Sequence, residues 1–135
     1  MYKNLMTILI LGFLVFATSA SAETKIFIGV GEHYMESETE TLAQAQEKAK
    51  LAAELDAMEQ AQVNVQSYSK MHNSNLTRDE IITITAGVMN ITNVKYSLKE
   101  EMDVLLICAE VTAEIDTDKI SGMVEREIKR RADNL

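Results

Sequence analysis

The sequence predicts an α+β protein. It is expected to be a two-layer sandwich in the order β-α-β-β-β-α, with a long alanine-rich helix packed on a mostly antiparallel sheet. Three observations carry this. From Val104 to Ile115, the residues Leu105, Ile107, Ala109, Val111, Ala113 and Ile115 fall on one face at period two. Between Glu40 and Ala61, Leu42, Ala45, Ala49, Ala52, Ala53 and Ala57 converge on one stripe at about 100° per residue. Lys25 to Gly31 (KIFIGVG) is a short apolar run rich in β-branched and aromatic residues. Helices segregated from a run of strands point to α+β and not to a parallel α/β fold.

Taken in order, Lys25–Gly31 reads as a first strand, central in its sheet or buried on both faces. Ser37 with Glu40, and Thr41 with Gln44, then fit the capping-box pattern that opens a helix. The small residues on the inner stripe of that helix let its backbone approach a sheet closely. Leu51, Leu55 and Met58 gather on the opposite side among Glu47, Lys48 and Glu54, as a surface for a second helix or for a partner.

Val63 to Lys70 alternates and reads as a half-buried strand with Val63, Val65 and Ser67 on one face. His72–Asn75 is turn chemistry. Thr77 to Glu80 caps a brief helical turn, although Ile81–Thr85 suits a strand as well. Gly87 opens a strand from Val88 to Lys99 whose imperfect alternation suggests a bulge. Glu100, Glu101 and Asp103 mark the turn before the strand from Val104. On that strand's second face Val104, Leu106 and Cys108 give way to Glu110, Thr112 and Glu114. Asp116–Asp118 caps a terminal helix over 117–134 with Ile120, Met123, Val124 and Ile128 as its apolar stripe. Lys129, Arg130 and Arg131 complement the dipole in its last turns.

The first 22 residues read as a secretory signal peptide: Lys3, an apolar core from Leu5 to Phe16, and a small-x-small site at Ala20-Ser21-Ala22. Cleavage after Ala22 takes 22 of 135 residues and leaves 113, one α+β domain over 23–135. The expected location is therefore periplasmic or secreted, with no transmembrane helix after signal removal. Losing Lys3 from 13 basic residues, against 21 acidic ones, moves the net charge from −8 to −9. So acidic a chain has no electrostatic footprint for nucleic acid. One cysteine cannot form an internal disulfide, so stability must come from packing.

No catalytic, cofactor-binding or metal-ligating pattern stands out. His33 and His72 lack ligand spacing, and Gly29 and Gly31 are not followed by a phosphate-binding loop. The adjacent acids at turns do not form a facing catalytic pair. The reading is a non-enzyme without cofactor. Its candidate partner contacts are Leu51, Leu55, Met58, Leu106 and Cys108, for an envelope or periplasmic protein or a second copy of the chain. Cys108, with no histidine nearby, reads as a buried, inert thiol under the terminal helix or at an interface.

Four patterns add a resemblance: Gly29-Val30-Gly31-Glu32 closing the first strand, the alanine-rich helix from Ala43 to Ala61, Val63-Asn64-Val65-Gln66-Ser67, and Asp79-Glu80-Ile81 leading to Thr85-Ala86-Gly87-Val88 and the strand centred on Ala109-Glu110-Val111. Over 25–115 the chain resembles the N-terminal domain of flagellar assembly protein T and the related small bacterial surface lipoproteins. The resemblance implies an envelope-associated domain without enzymatic activity that works by assembly with other proteins. Glu23, not a cysteine, stands at the cleavage site where the lipoproteins have one, and no functional residue carries over. A carrier that holds a small apolar ligand between the alanine-rich helix and the sheet is the alternative.

Overall fold

The computed structural model describes residues 23–135, so the expected signal peptide over 1–22 lies outside the described residues. The protein is α+β, and its elements run β1 (Thr24–Tyr34), α1 (Leu42–Met71), α2 (Arg78–Val88), β2 (Met89–Glu101), β3 (Val104–Asp116) and α3 (Thr117–Asp133). The three strands form one antiparallel sheet in the order β1-β3-β2. The three helices lie on one side of it, and no described element covers the other side. Among the described residues no helix is long and apolar enough to cross a membrane.

The contact between α1 and β1 is backbone on backbone. Ala45, Ala49, Ala53, Ala57 and Ala61 are fully buried along the inner stripe of α1. They face Gly29 and Gly31 on β1. A Cβ on Gly29 would stand 2.0 Å from the Ala53 carbonyl oxygen, and one on Gly31 would stand 2.3 Å from that of Ala49. Alanine on one element and glycine on the other therefore set the layer spacing, as the small-residue stripe predicts. Leu42 and Ala52, expected on that stripe, are exposed. The buried positions recur every four residues, and neither of these two keeps the step.

That four-residue step explains the largest departure from the sequence reading. Val63–Lys70, expected as a strand, continues α1. A stripe at i, i+4, i+8 rotates about 40° per step relative to a 3.6-residue helix, so it winds around the helix. Its first half, Ala45 to Ala53, packs on Ile107, Ala109 and Val111 of β3. Its second half, Ala61 and Val65, meets Ile84 and Val88 of α2, Ile115 of β3, and Ile120 and Val124 of α3. With α2 taking the place of a strand, the observed order is β-α-α-β-β-α.

Caps define the helix ends. Thr41 and Gln44 form a reciprocal capping box at α1, and Thr77 and Glu80 form a second at α2. The second box decides Ile81–Thr85 for helix: β-branched residues tolerate a short helix whose first turn is capped and whose Ile84 and Val88 are buried. At the end of α1, buried Ser69 and Ser74 exchange hydrogen bonds, including Ser74 Oγ to the Ser69 carbonyl at 3.0 Å, and Asn73 turns the chain at φ 52°.

β2 carries the expected irregularity, between Ile91 and Asn93. Its hairpin to β3 turns on Met102 and Asp103 at φ 49° and 63°, the left-handed pair that matches strand twist in a two-residue loop.

The first strand is a further correction. β1 is not central but an edge, and only one of its faces is covered: Ile26, Ile28 and Val30 point to the open side. α2 and α3 go to the same side as α1, so among the described residues no second layer covers them.

Candidate interaction surfaces

Two apolar surfaces stand on opposite sides of the sandwich. The first is the outer face of α1. Leu51 and Leu55 are each 55 % exposed, and Met58 is half-buried one turn on. The rim is charged: half-buried Lys50 has its Nζ 3.9 Å from exposed Glu47 and 3.7 Å from half-buried Glu54, as i,i+3 and i,i+4 pairs. Among the described residues no second helix covers this face, since α2 and α3 pack beside the C-terminal half of α1 on its inner stripe.

The second surface is the open face of the sheet. Ile26, Ile28 and Val30 form an exposed row on β1 and face Glu114, Thr112 and Glu110 across β3. Sequence reasoning missed this row because the run from Lys25 looks buried throughout. The alternation with Gly29 and Gly31, whose absent side chains admit the helix, was the available signal.

Cys108 lies on this same face, half-buried between Glu32 on β1 and Ser97 on β2, with its thiol donating to the Glu32 carboxylate at 3.7 Å. Of the two places the sequence offers for it, under the terminal helix or at an interface, the first is ruled out, and the thiol is half-buried where a buried one was expected. α3 packs against the opposite side of the sheet, through Ile115. Leu106 is only 2 % exposed. Its side chain is already enclosed and offers no surface to a partner, contrary to the expectation. Thus Leu51, Leu55 and Met58 form one cluster, and Cys108 belongs to another on the far side of the molecule.

The two sheet edges are finished differently. On β1, Asp56 of α1 accepts from the Val30 N–H at 2.8 Å, and Gln60 donates to the Ile28 carbonyl at 2.8 Å. These are outward-pointing groups of an edge strand, and the helix side chains that satisfy them obstruct the addition of another strand there. β2 has no such cover among the described residues from Lys95 to Glu101, and Tyr96 and Leu98 are 41 % and 52 % exposed on it.

The ionisable groups that cluster do structural work. Glu40 accepts from Lys48 at 2.8 Å, from the Glu36 N–H at 3.0 Å, and meets His33 Nε2 at 3.0 Å. The Lys48 ammonium, then the Glu36 N–H, hold its carboxyl at about 2. Glu80 receives the Arg131 guanidinium across α2 and α3, while Arg131 also donates to the Asn75 carbonyl at 2.7 Å. That guanidinium, first among its neighbours, holds Glu80 at about 2. Arg131, expected only to complement the helix dipole, also ties α3 to α2 and to the turn before it. His72 stacks on Tyr68 with ring centroids 4.1 Å apart. Among the described residues no three His, Cys, Asp or Glu side chains come together as a cation site.

No protein-family model matches the chain, and no curated protein matches it either.

Proposed function

We propose that this chain is an exported, non-enzymatic interaction module of the periplasm or cell envelope, acting as an assembly or scaffold component. The observation that carries the proposal is the uncovered leucine pair on α1, Leu51 and Leu55, set in a charged rim on a rigid helix. Singly exposed leucines are ordinary, but a contiguous pair one turn apart, with Met58 beside it, is the form that a contact site takes. Covering the exposed half of each leucine is worth about 1 kcal/mol, a scale suited to a reversible contact that other interactions complete. The signal-peptide pattern of residues 1–22 and the resemblance to the flagellar assembly protein T domain and the surface lipoproteins motivate the location.

The alternative of an apolar-ligand carrier has less to support it. A ligand held between α1 and β1 would need space where Gly29 and Gly31 leave none even for a Cβ.

A photo-crosslinking residue placed at Leu55, in cells of the native host, tests the proposal. A discrete crosslinked species containing an envelope protein is the expected result, lost when Leu51 is replaced by Lys. Recovery of uncrosslinked chain alone would count against it.

A further inference from the structure

We propose that two copies of this chain pair antiparallel through their β2 edges, about a two-fold axis at Leu98, to make one continuous six-stranded sheet. The inference goes beyond the reading above and does not depend on it, since β2 and the Leu51 face are separate surfaces.

The hairpin geometry fixes which groups of β2 are free. In a two-residue hairpin the residues flanking the turn, here Glu101 and Val104, exchange both hydrogen bonds. Glu101, Lys99, Ser97 and Lys95 therefore turn their backbone groups towards β3. Val94, Tyr96, Leu98 and Glu100 turn theirs outward. On β1 the corresponding outward groups at Ile28 and Val30 are occupied by Gln60 and Asp56. On β2 no described residue occupies them, and they lie beside the exposed side chains of Tyr96 and Leu98. An open edge that also displays apolar residues is a template for strand addition.

The charges select the partner and the register. A strand pairs with its own copy when its sequence is complementary to itself read backwards. About Leu98, Lys95 falls opposite Glu101 of the second copy and Glu101 opposite its Lys95, giving two ion pairs on the open face of the sheet. Tyr96 falls opposite Glu100 on the helix side, twice, where the phenol can donate to the carboxylate. Leu98 meets Leu98 on the axis. Opposite charges in directly facing positions favour the register, and facing like charges would oppose it. The competing register about Tyr96 offers no ion pair. It also carries the paired region into the irregularity between Ile91 and Asn93, which breaks a regular ladder. The Leu98 register spans Lys95 to Glu101 and stays clear of it.

Sedimentation equilibrium over a concentration series, on protein produced from the full chain, should give a mass that doubles with concentration. Leu98→Lys should abolish the dimer while matching the parent's thermal midpoint at dilutions where the parent is monomeric, since Leu98 is half exposed. Ile28→Lys, on the occluded edge, should leave the dimer intact. Register is read in a Cys108→Ser background. Directly paired residues lie about 5.5 Å apart at Cα, within disulfide range, so Leu98→Cys should crosslink to itself on oxidation while Tyr96→Cys and Ile28→Cys should not. A monomer at every concentration, a dimer lost through Ile28→Lys, or crosslinking at Tyr96 in place of Leu98 would each overturn the pairing stated here.

Discussion

Gly29 and Gly31 matter for what they lack. β1 could accept larger residues on its open face, and it does so at Ile26, Ile28 and Val30. On its inner face the α1 backbone stands where a Cβ would be, 2.0 Å from the Ala53 oxygen at Gly29. Because the obstruction is backbone and not a flexible side-chain end, relief requires the helix to move off the sheet. Gly29→Ala should therefore destabilise by about 3 kcal/mol, the upper end of overpacking costs, read as a drop in the urea midpoint. Gly122 is the opposite case. It sits inside α3 with nothing within 4 Å of an added Cβ, so Gly122→Ala should raise stability by about 1 kcal/mol through helix propensity alone. Equal and small effects at both sites would remove the close helix–strand contact from the fold.

At the scale of elements, the period of the apolar pattern decided what could be read in advance. β3 is legible because its inner residues alternate without a break and its partners on both sides keep them buried. The first half of α1, the bulged β2 and α3 are legible for similar reasons of spacing and caps. The second half of α1 is not: Val63, Val65 and Ser67 alternate, yet the buried set is Ala61, Val65 and Ser69, a four-residue helical stripe. Nothing local separates the two patterns. What selects helix is the cluster of α2, α3 and Ile115 waiting at Val65. Likewise, Leu51 and Leu55 were legible as an outer face, whereas the enclosure of Leu106 depends on neighbours far along the chain. The two readings of 63–70 make different predictions. As a helix, Val65→Ala should cost about 2 kcal/mol, a large-to-small change in a closed core, and Val63→Ala close to nothing. As a strand with both on one face, the two losses would be similar, and chemical denaturation of the two variants distinguishes them.

For the molecule as a whole, two carboxylates act as clasps at opposite ends of the sheet. Glu40, near the Tyr34 end of β1, joins His33, the Glu36 backbone and Lys48, and so fixes the connection from β1 into α1. Glu80, near the end where β1 starts and β3 finishes, joins the cap of α2 to Arg131 of α3 and, through Arg131, to Asn75. Both carboxyls sit at about 2 in the folded protein against an ordinary 4.5. Between those values the unfolded chain binds protons that the folded chain does not, so acid drives unfolding there. The stabilisation from both clasps is thus fully present above about pH 4.5 and is lost as pH falls towards about pH 2. The thermal midpoint should stay nearly level from neutral pH down to that window and then fall through it. Glu40→Gln and Glu80→Gln should each lower the midpoint at neutral pH and each shallow the acid fall, because neither glutamine has a proton to gain. The two effects should add, since the clasps share no partner and lie at opposite ends. A double variant that loses stability in acid as steeply as the parent would assign the loss to the chain's other carboxylates and leave the clasps without a thermodynamic role.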